Sequence, residues 1–275
     1  PDEPSEEWLL AYGGRLYDMW WAVLFADPPQ KTHPAYPKSG QQSGTTTWRC
    51  VECHGWDYAG AAGQYAAGPH KTGFPGILDT TLAADDIFDM LREPAGTPLP
   101  SAKPAHDYGS VLSDTRINDL VAFVLSGATE TTPFIDSNTG AFIGDPVQGE
   151  LNFNQGMQPA CLTCHGADGT GINFGEPTTP EYVGTIAVQD PWKLLHKIRF
   201  AQPAAPMPSW LANGGSNAAA ADIGRYAQLN FPTDCTDNAH CDDAVACTDD
   251  ACDANGRCVH TPQFAACVDD GFFCS

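Results

Sequence analysis

Apolar residues recur at helical spacing in several segments of the chain, and these segments predict its helices. After Ser113, the residues Ile117, Leu120, Val121 and Val124 follow the 3.6-residue period of one helix face. Ser113 precedes this helix as a capping residue. Sustained alternation with a period of two, which would indicate strands, is hard to find anywhere in the sequence. The pattern therefore predicts a mostly α protein with long loops.

The same order of segments occurs twice. Each half has an opening helix, a glycine-containing loop, a middle helix, a proline-containing loop and a closing helix. The middle helices are "ADDIFDMLREP" and "DPWKLLHKIRF", with Pro191 in the first turn of the latter. We therefore expect two tandem domains, residues 1–130 and 131–232, followed by a different segment, residues 233–275.

Each half contains one pentad of the form Cys-x-x-Cys-His. At this spacing two thiols can reach two vinyl groups of one haem, while the histidine binds the iron. A zinc ribbon would place its cysteine pairs about 15–20 residues apart, and a redox dithiol needs no following histidine. The pentads predict two covalently bound c-type haems. Their residues are Cys50, Cys53 and His54 in the first half, and Cys161, Cys164 and His165 in the second.

Each half resembles a class I cytochrome c domain. "GGRLYDMWW…TWRCVECHGWDY…GPHKTG" together with "PEYVGTIAVQDPWKLLHKIRFAQP…MP" is similar to a group of exported di-haem c-type cytochromes. The similarity extends over about residues 10–231. It implies tandem, mostly helical haem domains and a role in electron transfer.

The resemblance also implies distal iron ligands on the loop before each closing helix. In the second half this ligand is Met207, with His196 as its rival; a packing methionine is the alternative. The first half has no methionine on that loop, and His106 takes the position, with His70 as the runner-up. Methionine raises the haem potential relative to a second histidine, so electrons would pass from the first haem to the second.

Four further residues are expected to contact the haems, by packing on the porphyrin or by pairing with a propionate. Simple core packing is the alternative for the aromatic member. The residues are Trp48, Arg49, His70 and His196.

The charge and the cysteine content of the chain limit its expected partners and its cellular location. The chain has 13 Lys and Arg against 34 Asp and Glu, a formal charge of −21. This charge excludes nucleic acid and anionic lipid as partners, and the sequence predicts no transmembrane segment. Seven cysteines in the last 41 residues indicate disulfides and therefore export, to the cell surface or medium rather than the periplasm. A start at Pro1 fits a chain whose signal peptide has been removed.

The segment "CDDAVACTDDACDANGRCVHTP" resembles a short cysteine-rich repeat of bacterial surface proteins and slime-mould extracellular proteins. We expect a loop-rich, disulfide-rich module here. Because seven cysteines cannot all pair within one chain, either the polypeptide continues beyond Ser275 or one cysteine pairs between molecules. Its acidic residues form either a Ca²⁺ site or a solvated face. They are Asp242, Asp243, Asp249, Asp250 and Asp253.

The predicted function is outer-sphere electron transfer by a non-enzymatic carrier, because six-coordinate iron leaves no position for substrate. Its partners would be redox proteins or neighbouring copies, and in the latter case the copies would polymerise into a conducting filament. The alternative is a di-haem enzyme. A thiosulfate dehydrogenase typically uses a distal cysteine, which neither half offers, and a peroxidase would need His106 to dissociate.

Overall fold

A computed structural model describes residues 4–78, 80–176, 181–233, 238–241, 247–253 and 258–263. It is mostly helical, as the sequence pattern predicts. The chain forms two compact units, Pro1–Phe134 with Leu195–Ala220, and Ile135–Leu194 with Ala221–Ser275. The predicted domain boundaries, residues 130/131 and 232/233, stay predictions.

Four helices in the first unit are α1 (Glu6–Leu24), α2 (Val51–His54), α3 (Ala84–Arg92) and α4 (Asp114–Ala122). Ser5 caps α1, since its side chain accepts a hydrogen bond from the Trp8 N–H. The helix buries Leu16, Tyr17 and Trp20.

Helices α1 and α4 approach each other closely at Gly13. A Cβ atom at this position would lie 2.5 Å from the Asp119 carbonyl oxygen and 2.6 Å from Cβ of Phe123. Only glycine therefore permits the contact without a shift of one helix. Helix α4 begins directly after Ser113 as predicted, although the Ser113 side chain makes no capping hydrogen bond with any described residue. Its buried face contains Ile117 and Leu120.

The second unit contains α5 (Pro146–Gln155), α6 (Leu162–His165) and α7 (Val183–Gln189). Asp145 caps α5 by accepting from the Val147 N–H at 2.9 Å. Helices α8 (Pro191–Phe200) and α9 (Asn217–Asn230) each contain a boundary between the residues of the two units. Within the second unit, Phe153 packs its ring 4.9 Å from that of Phe231.

A two-stranded antiparallel hairpin in the C-terminal segment is a feature that the sequence pattern did not predict. Its strands are β1 (Thr248–Cys252) and β2 (Cys258–Pro262). A disulfide joins Cys241 to Cys258, and Cys252 is also disulfide-bonded, which confirms disulfide bonding in this segment. Several predicted residues lie outside the described part of the chain: Cys235, Cys267, Cys274, Asp242 and Asp243.

Membrane-spanning helices were also sought in the structure. Within the described ranges, no helix combines the length and the apolar character needed to cross a bilayer.

Candidate functional site

The first pentad forms a single helical turn, α2, preceded by Cys50 and ended by Gly55, whose φ is 78°. Burial raises the pKa of the Cys50 thiol to about 11 and that of Cys53 to about 12. Reactive redox dithiols depend on lowered pKa values. The raised pKa values keep both thiols neutral, a state that does not favour dithiol exchange.

His54, at the end of the pentad, faces His106 from the loop after α3. Their ring centres are 6.2 Å apart, and the ring planes differ by 24°. A metal ion held by both imidazoles needs about 2 Å to each nitrogen and roughly 1 Å more to each ring centre, or ~6 Å in total. The observed separation therefore fits one iron between the two rings. The predicted pairing of His54 with His106 has the spacing that it requires, while the iron itself stays a prediction.

The protonation of both rings also suits metal binding. Nδ1 of His54 lies 2.8 Å from the Pro75 carbonyl oxygen, and Nδ1 of His106 lies 2.9 Å from that of Pro104. Because a carbonyl only accepts, each Nδ1 carries the proton and each Nε2 keeps its lone pair. Such second bonds orient imidazole ligands in metal sites.

Both imidazoles are neutral in this environment. Burial lowers the pKa of His54, against a smaller opposing effect of the hydrogen bond to Pro75. Burial together with the neighbouring His54 and His33 lowers the pKa of His106 to about 4. Neutral imidazole is the form that binds a metal ion.

Helix α3 positions the loop that carries His106. The His106 N–H donates to the Met90 carbonyl at 2.8 Å, and the Asp107 N–H donates to the Glu93 carbonyl at 2.7 Å. Asp107 itself adopts the left-handed conformation, with φ of 62°. The last turn of α3 therefore fixes the position of the His106 backbone.

His33 is a site residue that the sequence reasoning missed. It is only 5% exposed, with its ring centre 4.4 Å from Trp48 and 5.3 Å from Tyr108. Its Nε2 is buried and has no hydrogen-bond partner among the described residues. The cytochrome c resemblance places haem ligands after each pentad, whereas His33 precedes its pentad. In the sequence, only its presence in the long segment before Thr47 points to it.

Two residues beside the pentad that were predicted to contact the haem hold protein partners here. Nε1 of Trp48 donates to the Lys31 carbonyl at 2.8 Å. Arg49 pairs with Asp18 at 2.6 Å and with Glu52 at 3.2 Å. A haem propionate could contact these side chains only in addition to these bonds or in place of them. The predicted haem contacts of Trp48 and Arg49 stay predictions.

The two histidines predicted near propionates are engaged as well. Nδ1 of His70 lies 2.9 Å from Oε2 of Glu52. Nε2 of His196 lies 3.0 Å from the Gly14 carbonyl and therefore carries the proton, so Nδ1 accepts from the Tyr58 hydroxyl at 2.7 Å. Burial lowers the pKa of His196 to about 3. Both ring nitrogens of His196 thus serve packing within the first unit, and its role at a haem stays a prediction.

The second pentad repeats the geometry of the first. Helix α6 is a single turn that Gly166 ends with φ of 76°, and burial raises the pKa of Cys161 to about 11. Nδ1 of His165 is buried without a hydrogen-bond partner in the described ranges. Met207 belongs to Leu195–Ala220, which is grouped with the first unit. Its pairing with His165 stays a prediction.

A conventional metal-binding cluster is not part of this arrangement. Within the described ranges, no group of three or more His, Cys, Asp or Glu side chains is placed to hold a metal ion. Haem iron makes a smaller demand, because the porphyrin occupies four positions and the protein supplies the axial ligands. The donor set His54 and His106, beside the thiols of Cys50 and Cys53, fits that demand.

Comparison with known proteins adds little. No protein family model matches the chain, and no curated protein sequence matches it. One solved structure, from a reducing HAO-like protein complex of Kuenenia stuttgartiensis, aligns with 66% of this chain and 91% of its own, at 16% identity. Its TM-score of 0.24 is too low to carry an argument.

Proposed function

We propose that this protein is an extracytoplasmic di-haem c-type cytochrome that transfers electrons by outer-sphere exchange. The observation that carries the proposal is the pair His54 and His106, whose ring centres stand 6.2 Å apart. Both rings have Nδ1 tied to a carbonyl, so both keep the lone pair on Nε2 for a metal ion. Two thiols at haem-attachment spacing, Cys50 and Cys53, belong to the same turn.

Haem bound at this site supplies reversible one-electron chemistry at its iron. The residues of the chain determine how that chemistry is used. Cys50 and Cys53 would hold the porphyrin through thioethers, and His54 with His106 would hold its iron. With both histidines bound, the iron would offer no position to substrate, which favours a carrier over an enzyme.

The second haem belongs to Cys161, Cys164 and His165, with Met207 as its distal ligand. The pentad is the basis of this part of the proposal, since α6 reproduces the short turn and terminal glycine of α2. A His/Met site has a higher potential than a bis-His site. Electrons would therefore pass from the site of His54 and His106 to the site of His165 and Met207.

The disulfide between Cys241 and Cys258 supports the extracytoplasmic setting, because disulfides persist mainly outside the reducing cytosol. Redox partner proteins are the proposed electron donor and acceptor. With a formal charge of −21, the chain favours basic docking surfaces on these partners.

Intact mass and redox titration together test this proposal. The purified protein should carry the mass of two covalently attached haems, and a spectroelectrochemical titration should resolve two one-electron steps. Cys161→Ser combined with Cys164→Ser should remove one haem mass and the higher-potential step, while the lower step stays. A wild-type mass without haem would end the proposal, and a high-spin iron that binds peroxide would support a peroxidase instead.

A further inference from the structure

We infer that His33 donates its Nε2 hydrogen to a carboxylate of the haem in the first site. The inference rests on the proposed function and assigns a haem contact to a residue outside both pentads. It also gives a purpose to the long segment that precedes the first pentad.

The tautomer of His33 follows from its other nitrogen. Nδ1 accepts the Ala35 N–H at 3.1 Å, so this nitrogen uses its lone pair and carries no proton. Neutral His33 therefore has its proton on Nε2. His54 and His106 have the opposite tautomer, with the proton on Nδ1. His33 is thus arranged as a hydrogen-bond donor, whereas the other two are arranged as iron ligands.

The donor of His33 makes no well-formed hydrogen bond with the protein. The ring lies near the backbone of His106, but Nε2 is buried without a hydrogen bond of normal geometry among the described residues, and the whole residue is only 5% exposed. Folding seldom leaves a buried donor unpaired, because the water that it loses is not replaced. An acceptor that is bound rather than built into the chain resolves this deficit.

The location of His33 indicates which acceptor this is. Its ring lies against Trp48 and Tyr108. The Tyr108 hydroxyl donates to the Trp48 carbonyl at 3.0 Å and lies 3.9 Å from Sγ of Cys50. The His33 ring also lies near the backbone of His106. It therefore stands beside the proposed haem pocket, close to residues that contact Cys50 and to the chain at His106, and the carboxylates are the strong acceptors that haem carries.

Other donors around the first site already have acceptors in the protein. Arg49 is paired with Asp18, Trp48 with the Lys31 carbonyl, and His70 with Glu52. Among the histidines, arginines and tryptophans predicted or found around this pentad, His33 is the one whose buried donor lacks a partner in the described residues. This difference favours His33 as the carboxylate contact.

The segment before the pentad holds His33 in place. The His33 N–H donates to Oγ1 of Thr47 at 2.8 Å, and the Thr47 hydroxyl donates in turn to the Gly44 carbonyl at 2.6 Å. The bond from Trp48 to Lys31 closes the same loop beside the pentad. Residues 31–48 thus form a closed loop that fixes the His33 imidazole relative to Cys50.

Two substitutions distinguish the effect of the N–H donor of His33 from the effect of its aromatic ring. His33→Phe keeps an aromatic ring and removes the donor, whereas His33→Gln retains an N–H near the position of Nε2. The control is Asp114→Asn, an exposed carboxylate in the same unit. Each holoprotein is compared with the wild type by resonance Raman spectroscopy of the propionate bending bands and by the midpoint potential of the lower-potential haem.

We expect His33→Phe to shift one propionate band and to lower the potential of the first haem, because the carboxylate charge is then less compensated and favours ferric iron. His33→Gln should restore both, and Asp114→Asn should move neither. Intact mass shows whether each protein carries haem. A wild-type protein without haem would refute the proposed function. If His33→Phe carries its full haem content and shows unchanged propionate bands and potential, the inference about His33 is wrong, while the proposed function stands. The backbone of His106 would then be the contact of His33.

Discussion

Asp18 is a fully buried carboxylate in the first unit that pairs with two cations. Its side chain is 0% exposed, and it pairs with Arg49 at 2.6 Å and with Lys197. These two cations also lie over the Trp56 ring, at 5.6 and 5.3 Å from its centre. One carboxylate thus holds α1, the start of the first pentad and α8 around a single tryptophan.

Asp18→Asn keeps the shape of this side chain and removes its charge. Removing one partner of a buried ion pair costs about 3–5 kcal/mol, because the remaining charge is left uncompensated. Here the cations are 18% and 13% exposed, so water relieves part of that cost. We expect a loss of roughly 2–4 kcal/mol, which lowers the melting temperature by roughly 5–15 °C in a unit of this size.

The pH dependence gives the prediction a second test. Burial by itself would raise the pKa of Asp18, but Lys197 and Arg49 lower it by more, so the net shift is downward. A carboxylate with a lowered folded pKa stabilises the fold above its unfolded pKa and loses this effect as pH falls through the folded value. The difference between wild type and Asp18→Asn should therefore be full at pH 7 and shrink below about pH 4.

Far-ultraviolet circular dichroism during thermal unfolding measures the effect. The control is Asp114→Asn, whose carboxylate is 67% exposed and pairs with the 46%-exposed Arg92. An exposed pair contributes at most about 1 kcal/mol, so this control should stay close to wild type. Equal melting temperatures for the two variants at pH 7 would refute the reasoning about Asp18.

Three further predictions concern other parts of the chain. Tyr58→Phe leaves Nδ1 of the buried His196 without its 2.7 Å donor and should cost about 1–3 kcal/mol in the same unfolding assay; an unchanged melting temperature would contradict this. Cys241→Ser opens the disulfide to Cys258, so limited proteolysis should cut the C-terminal segment faster while both haem spectra stay unchanged. If those spectra change, the segment is not independent. Negative-stain electron microscopy of the native material should show filaments if copies polymerise, and single particles would rule that assembly out.

The sequence predicted helices that show an apolar face at helical spacing, although it did not predict the buried helix α7. Ile117 and Leu120 of α4 are examples, because a 3.6-residue period is visible without knowing the partner helix. It did not predict the hairpin of β1 and β2. Those strands follow "TDDAC" and "CVHTP", which have no apolar alternation, and the disulfide to Cys258 supports β2 in place of a packed face.

The candidate site was partly predictable, because some of its residues are close together in the sequence. The cysteines and histidine of a pentad are close in sequence, so their spacing alone suggests the chemistry. The cytochrome c resemblance suggests His106, whose ring centre lies 6.2 Å from that of His54, and its role as a ligand stays a prediction. His33 could not be found this way, because only the folded loop from Lys31 to Trp48 brings it to the site. The partners of Arg49 and His196 likewise depend on tertiary packing.

The central claim is that His54 and His106 hold one iron between them, and near-infrared magnetic circular dichroism of the holoprotein tests it most directly. The wild type should show one bis-His band and one His/Met band. His106→Met should convert the first band to the His/Met position and leave the second unchanged, while the control His70→Met should leave both bands in place. A His106→Met spectrum identical to that of the wild type would contradict the account.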